Sequence, residues 1–90
     1  RPLIRAAACR ALLQLTGDSC WGEQLTQLLL HPDPLVRRGA LLDLGAAGWT
    51  AAVPMIQAAA VEPSLKLVAL KRLAETSGDP QVLDVMDALL

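Results

Sequence analysis

Four kinds of side chain in this sequence are equipped for chemistry. Arg38, Lys71 and Arg72 are cations on predicted helix faces. An arginine presents a planar fork that grips a carboxylate with two hydrogen bonds, although a solvated helix face explains the same charges. Trp21 and Trp49 are the whole aromatic complement, and each sits at a turn leading into a helix. An indole there either offers a flat stacking surface or packs as a staple on the next turn. Cys9, Cys20 and the single histidine, His31, complete the set. His31 stands beside Pro32 with no cysteine near it, so no metal site is expected. No Ser-His-Asp set, nucleotide-binding glycine loop or paired-cysteine motif occurs. The chain by itself is therefore expected neither to catalyse a reaction nor to hold a cofactor tightly.

These residues are positioned by one stretch, Asp33 to Gly45, that reads as a complete helix. Asp33 is a good N-cap, because its carboxylate accepts from a free N–H of the first turn. Pro34 suits the first helical position. Val36, Ala40, Leu41 and Leu44 recur at helical spacing, and Gly45 and Gly48 supply the stop. The pattern recurs in Arg1-Pro2-Leu3-Ile4-Arg5 and in Glu62-Pro63-Ser64-Leu65-Lys66, with Pro2, Pro34 and Pro63 separated by 32 and 29 residues. Ala8 and Ala69 then fall at the place of Ala40, Leu12 and Leu73 at that of Leu44, and Cys9 and Leu70 at that of Leu41. A period near 30 residues marks stacked helical repeats. It also makes Cys9 a small core residue rather than a nucleophile.

The helices are expected at 2–15, 20–31, 34–44, 51–61, 63–76 and 80–90. Leu3, Ile4, Ala8, Leu12 and Leu15 should point inward from the first, and Leu25, Leu28 and Leu29 from the second. Val53, Ile56, Ala60 and Val61 should do so from the fourth, Leu65, Ala69, Leu70 and Leu73 from the fifth, and Val82, Leu83, Met86 and Leu90 from the sixth. Thr50 and Asp79 are read as caps, and Gly45-Ala46-Ala47-Gly48 as a turn. The fold class is all-α: an α-solenoid (α-α superhelix) of three short helical pairs, with repeats at about 1–32, 33–61 and 62–90. Each pair must stack on a neighbour to bury its apolar face. The chain begins at Arg1 within a repeat, and it is read as a piece of a longer solenoid. Leu3, Leu13, Leu89 and Leu90 would lie uncapped at its ends and favour end-to-end self-association.

Composition narrows the partners. In 90 residues, 53% are hydrophobic, with no Phe or Tyr; small aliphatic side chains suit close helix packing, and runs typical of strands are missing. Charged residues interrupt the apolar runs, so no membrane-spanning helix is expected. Eight basic and nine acidic residues give a net charge of −1, which argues against a nucleic-acid partner. Two cysteines without secretory context suggest a reducing compartment, the cytoplasm.

The Asp-Pro-x-Val-Arg-x-x-Ala-x-x-x-Leu-Gly pattern resembles the short HEAT repeats. Arg38-Gly39-Ala40-Leu41-Leu42-Asp43-Leu44-Gly45 and Glu62-Pro63-Ser64-Leu65-Lys66-Leu67-Val68-Ala69-Leu70-Lys71 resemble the E/F-type phycobilin lyases of the phycobilisome in cyanobacteria. The first copy departs in having Arg1 at the acidic cap, the third in having Lys66 for Arg. The resemblance implies a protein that attaches a linear tetrapyrrole (a phycobilin, as substrate) to a cysteine of a phycobiliprotein, or removes it. Its partners would be a phycobiliprotein subunit or a paired lyase subunit. Arg38, Lys71 and Arg72 would then meet the bilin propionates, and Trp21 and Trp49 would stack on its rings. Asp33, Glu62, Arg37 and Lys66 are expected to form a ladder between repeats. Such arrays also serve as non-catalytic scaffolds. There the second helix of each pair lines the concave face, and Gln24, Gln27, Gln57, Gln81 and Asp84 would contact a protein partner.

Overall fold

The computed structural model describes residues 1–90 and contains six α-helices and no strand. They are α1 (Pro2–Thr16), α2 (Ser19–Gln27), α3 (Pro34–Ala47), α4 (Val53–Ala58), α5 (Pro63–Ser77) and α6 (Gln81–Leu89). A 3-10 turn, Leu28–Leu30, prolongs α2, and another, Thr50–Ala52, leads into α4. In one layer α1 packs on α3 and α3 on α5, while α2 packs on α1 and α6 on α5. The result is a slab of 33 × 28 × 15 Å. The expected three-pair α-solenoid is what forms.

Local chemistry sets most of the boundaries. The carboxylates of Asp18, Asp33 and Asp79 accept hydrogen bonds from the N–H of Cys20, Leu35 and Gln81 at 3.0, 2.9 and 2.9 Å. Each relieves a donor that the first helical turn leaves free. Proline occupies the first turn of α1, α3, α4 and α5. Gly48 ends α3 at φ +70°, in the left-handed region, where an L side chain is strained.

Several boundaries differ from the sequence expectation. The third helix continues through Gly45 to Ala47, so Gly45-Ala46-Ala47-Gly48 is not a turn. Gly45 serves packing instead: a Cβ there would lie 2.7 Å from the carbonyl oxygen of Ala69, so its absence lets α3 approach the α5 backbone. Thr50 caps nothing; it opens the 3-10 turn, and α4 has no side-chain cap. That helix stops at Ala58, not at residue 61, because Ala59 is extended at ψ 144°. Glu62 makes no cap bond either, since its carboxylate is held elsewhere.

The core is made of Leu25, Leu29, Leu41, Leu44, Ile56, Leu70, Leu73 and Val82, with alanines between them. The second and fifth helices bury the residues expected of them, with Leu28 and Leu65 half-buried. In α4, Ala59 is buried and Ala60 exposed, because the extended backbone at Ala59 breaks the helical register. The first helix differs most. It buries Ala6, Cys9 and Leu13 against the rest of the molecule, whereas Ile4 and Leu15 are 66% and 84% exposed. Leu3 and Ala8 are also exposed and Leu12 is half-buried. Ile4, Ala8, Leu12 and Leu15 share a face of α1 that has no helix against it, whereas Leu3 lies beside Gly39 at the edge of the α3 contact. In α6, Val82 is buried, but Leu83 and Leu90 are 54% and 89% exposed, again for want of a neighbour. Of the four leucines expected at bare ends, Leu13 is buried and Leu89 half-buried, and Leu3 and Leu90 remain exposed.

Two substitutions test the packing of α3 through opposite contacts. Ala40, fully buried, lies toward α1; Gly45 lies on α5. Ala40→Leu and Gly45→Ala should each overpack, lowering stability by about 1–3 kcal/mol without loss of helicity. Denaturant midpoints equal to the parent chain's would refute this packing.

Candidate functional site

Gly22 is the residue from which the main surface groove is built. A Cβ at Gly22 would fall within 2.7 Å of Cδ2 and Cζ2 of Trp49, so the indole lies directly on the α2 backbone. Trp49 is thereby fixed at the junction between α2 and the 3-10 turn that opens α4. Around it, Glu23, Thr26, Gln27 and Leu30 from the second helix and its extension meet Ala51 and Met55. Together they line an open groove of about 370 Å³. The Thr26 hydroxyl donates to the Gly22 carbonyl at 2.7 Å, which leaves Glu23 and Gln27 as the groove's free polar side chains. The surface combines an aromatic and a thioether wall with a carboxylate and an amide, and it contains no cation. Apolar walls with few polar groups are the usual make-up of an organic-ligand site.

Among the expected site residues, Trp49 and Gln27 are brought together here. Trp21 lies inside α2 rather than at the turn before it, half-buried and packed against the core. Gln24 is exposed, with its Oε1 4.0 Å from Cys9 Sγ. Gln57 contributes only its backbone carbonyl, to Lys66. Gln81 lines a separate depression with Thr50, Val53 and Asp79, and Asp84 lies exposed in the first turn of α6. Glu23, Thr26, Leu30 and Met55 went unnoticed in the sequence. Gly22, a glycine inside a helix, was the available signal that another group approaches there.

The three cations do not form a joint site. Arg38 is taken up by a bidentate pair with Glu62, its Nη2 at 2.7 Å from Oε1 and its Nε at 3.1 Å from Oε2. That hydrogen-bonded pairing raises the Arg38 pKa and, with the same guanidinium as its cause, lowers that of Glu62. The pair links α3 to the start of α5 and occupies the Nε–Nη2 edge of the guanidinium. Lys71 and Arg72 are exposed on α5 and join no ion pair.

The repeat's basic position binds backbone rather than carboxylates. Arg37 Nη1 donates to the carbonyls of His31 and Pro32 at 2.8 and 2.9 Å, and its Nε donates to that of Ala60 at 3.0 Å. Lys66, itself buried, donates from Nζ to the Gln57 carbonyl at 2.8 Å. These are carbonyls at or just past the ends of α2's extension and α4, where a helix leaves acceptors unpaired. The acid–base ladder is therefore made of aspartate caps and basic clasps, each serving main-chain groups.

Neither cysteine is activated. Burial pushes the Cys9 thiol up despite Arg5 nearby. Desolvation by neighbouring atoms, with the carboxylates of Asp18 and Glu23 behind it, raises that of exposed Cys20. A raised thiol pKa means little thiolate, the nucleophilic form. No group of three or more His, Cys, Asp or Glu residues is placed to hold a metal. No helix is long and apolar enough to cross a membrane.

No protein-family model matches the chain. It is 68% identical over its whole length to the bilin biosynthesis protein RpcE of Synechococcus sp. WH8020, spanning 34% of that protein. It is 49% identical over 73 residues to the phycocyanobilin lyase subunit alpha of Synechococcus elongatus, covering 81% of this chain and 27% of that one. The solved complex of CpcE and CpcF of phycocyanin lyase from Nostoc sp. PCC7120 contains a chain that superposes with a TM-score of 0.88 at 42% identity, covering 97% of this chain and 35% of that one. The chain belongs to the E/F-type phycobilin lyase family. It spans about a third of the length of these relatives.

One electrostatic feature of the segment is testable directly. Asp43 is near Arg10, with 3.1 Å between Oδ1 and Nε, yet burial outweighs the attraction and its pKa is raised. A carboxyl whose folded pKa exceeds its unfolded value of about 3.9 loses stability as the pH rises through the folded pKa. Asp43→Asn should therefore raise the denaturant midpoint at neutral pH, and the gain should shrink in acid, where Asp43 is protonated in both states. A gain that grew on acidification would contradict this sign.

Proposed function

We propose that this chain is a segment of a cytoplasmic phycobilin lyase that holds a linear tetrapyrrole in register with a cysteine of a phycobiliprotein subunit. The observation that carries the reading is the superposition on the CpcE–CpcF complex at 42% identity. A paired lyase subunit is then its partner. The chain supplies no activated nucleophile and no metal site, so its contribution is binding and orientation, which by themselves lower a bimolecular barrier substantially.

The Trp49 groove is the surface of this segment best suited to the tetrapyrrole. Trp49 and Met55 give a conjugated ring apolar and polarisable walls. Glu23 and the carbonyl oxygen of the Gln27 amide accept hydrogen bonds, matching pyrrole N–H donors rather than propionates. Propionates would instead extend toward solvent or toward other parts of the lyase, since Arg38 is engaged by Glu62. The groove is open and its volume suits part of a bilin, the rest facing the acceptor or the partner.

The full-length protein, its paired subunit, phycocyanobilin and an apo-phycobiliprotein subunit form the test. A covalent, zinc-fluorescent adduct should appear faster and with a cleaner absorbance band than without the lyase. Glu23→Gln should slow its formation several-fold while leaving the denaturant midpoint unchanged. No bilin binding and no acceleration, with several acceptors tried, would leave a non-catalytic protein-interaction scaffold as the reading, in which exposed Gln24, Gln57, Gln81 and Asp84 make the contacts.

A further inference from the structure

Beside the Trp49 groove lies a second depression, of about 240 Å³. Leu30 and Met55 belong to the walls of both, so the two adjoin. The walls of the second are apolar apart from two side chains, His31 and Arg37, both half-buried. No carboxylate lines it, and Asp33, close by in sequence, is spent as the cap of α3.

Both side chains have a structural duty that leaves donors over. A guanidinium has five N–H donors. Arg37 gives one from Nε to the Ala60 carbonyl and two from Nη1 to those of His31 and Pro32. Its Nη2 has no partner. Lys66, at the same place in the next repeat, clasps its carbonyl with a lone ammonium, so the clasp by itself does not call for an arginine. His31 Nδ1 accepts from the Asp33 N–H at 3.0 Å. That bond places a ring hydrogen on Nε2, a second donor without a partner.

We propose that Arg37 Nη2 and His31 Nε2 form a carboxylate subsite that takes one propionate of the tetrapyrrole, a proposal that rests on the Trp49 groove being the tetrapyrrole's site. The groove has no cation in its lining, and the adjoining depression supplies one. A planar guanidinium matches a carboxylate in shape and charge. The imidazole N–H adds a second point of attachment, and the apolar walls strengthen both by lowering the local dielectric. The indole face and this pair of donors together fix which way round the chromophore lies. That orientation decides which of its carbons meets the acceptor cysteine.

Two variants keep the structural duties and remove the spare donors. Arg37→Lys retains a cation for the carbonyls, as Lys66 does. His31→Asn retains an acceptor for the Asp33 N–H, in the two-residue geometry that Asp18 uses with Cys20. The full-length protein with its paired subunit is titrated with phycocyanobilin and with its dimethyl ester, whose propionates carry no charge. The parent should bind the free acid about tenfold more tightly than the ester. Each variant should lose most of that preference, with ester binding and the denaturant midpoint unchanged. Equal binding of acid and ester by the parent, or a preference that survives both substitutions, overturns the subsite while leaving the tetrapyrrole in the groove. Loss of acid and ester binding together in the variants marks a structural role only and also overturns it. So does weakened pairing of the subunits with the acid preference intact, since the carboxylate served would then be the partner's. Binding of neither form by the parent defeats the tetrapyrrole reading itself, and the subsite with it.

Discussion

The close approach of α3 to α5 is the contact on which the rest of the structure depends. At Gly45 the helix surface is bare backbone, and the Ala69 carbonyl occupies the space a methyl group would need. Ala69, almost wholly buried, is the α5 side of this contact, and Ala40, fully buried, is a small residue on the opposite side of α3. Once α1, α3 and α5 lie this close, Leu41, Leu44, Leu70 and Leu73 are forced to one side of the layer. They become the floor on which Leu25, Leu29, Ile56 and Val82 of the second layer rest. A helix too short to be stable alone, such as α4, is held by that floor rather than by its own propensity.

Main-chain satisfaction is the second organising demand. The short turns between helices leave donors at each start and acceptors at each end, and burial makes unpaired groups costly. Aspartates meet the donors, and Arg37 and Lys66 meet the acceptors. The Arg38–Glu62 pair is different, linking two exposed side chains across repeats; exposed ion pairs of this kind contribute little to stability. Its consequence is functional. It engages one edge of the Arg38 guanidinium, whereas the groove at Trp49 has no cation in its lining.

The groove proposed for the tetrapyrrole rests on shape more than on reactive groups. Gly22 admits the indole, the indole walls a groove, and Glu23 and Gln27 set its polarity. Both thiols have raised pKa values, so neither is a ready nucleophile.

The sequence by itself determined the all-helical class, the threefold repeat, the aspartate and proline starts, and the membership that Arg38–Gly45 and Glu62–Lys71 carry. These are local or periodic properties: a cap needs one side chain and two residues of backbone, and a repeat declares itself by recurrence. Tertiary structure alone decided the rest. Whether Gly45 ends a helix or admits a neighbour depends on where α5 lies, which no local pattern records. Whether Ile4, Ala8 and Leu15 are core depends on whether a helix stands against them. Arg38, in the linear chain a candidate carboxylate binder or a solvated charge, is in space paired with Glu62, 24 residues on, which the stacking of repeats brings beside it. The groove at Trp49 was equally invisible, since its walls come from two helices whose juxtaposition is set by a glycine and an indole far apart in sequence.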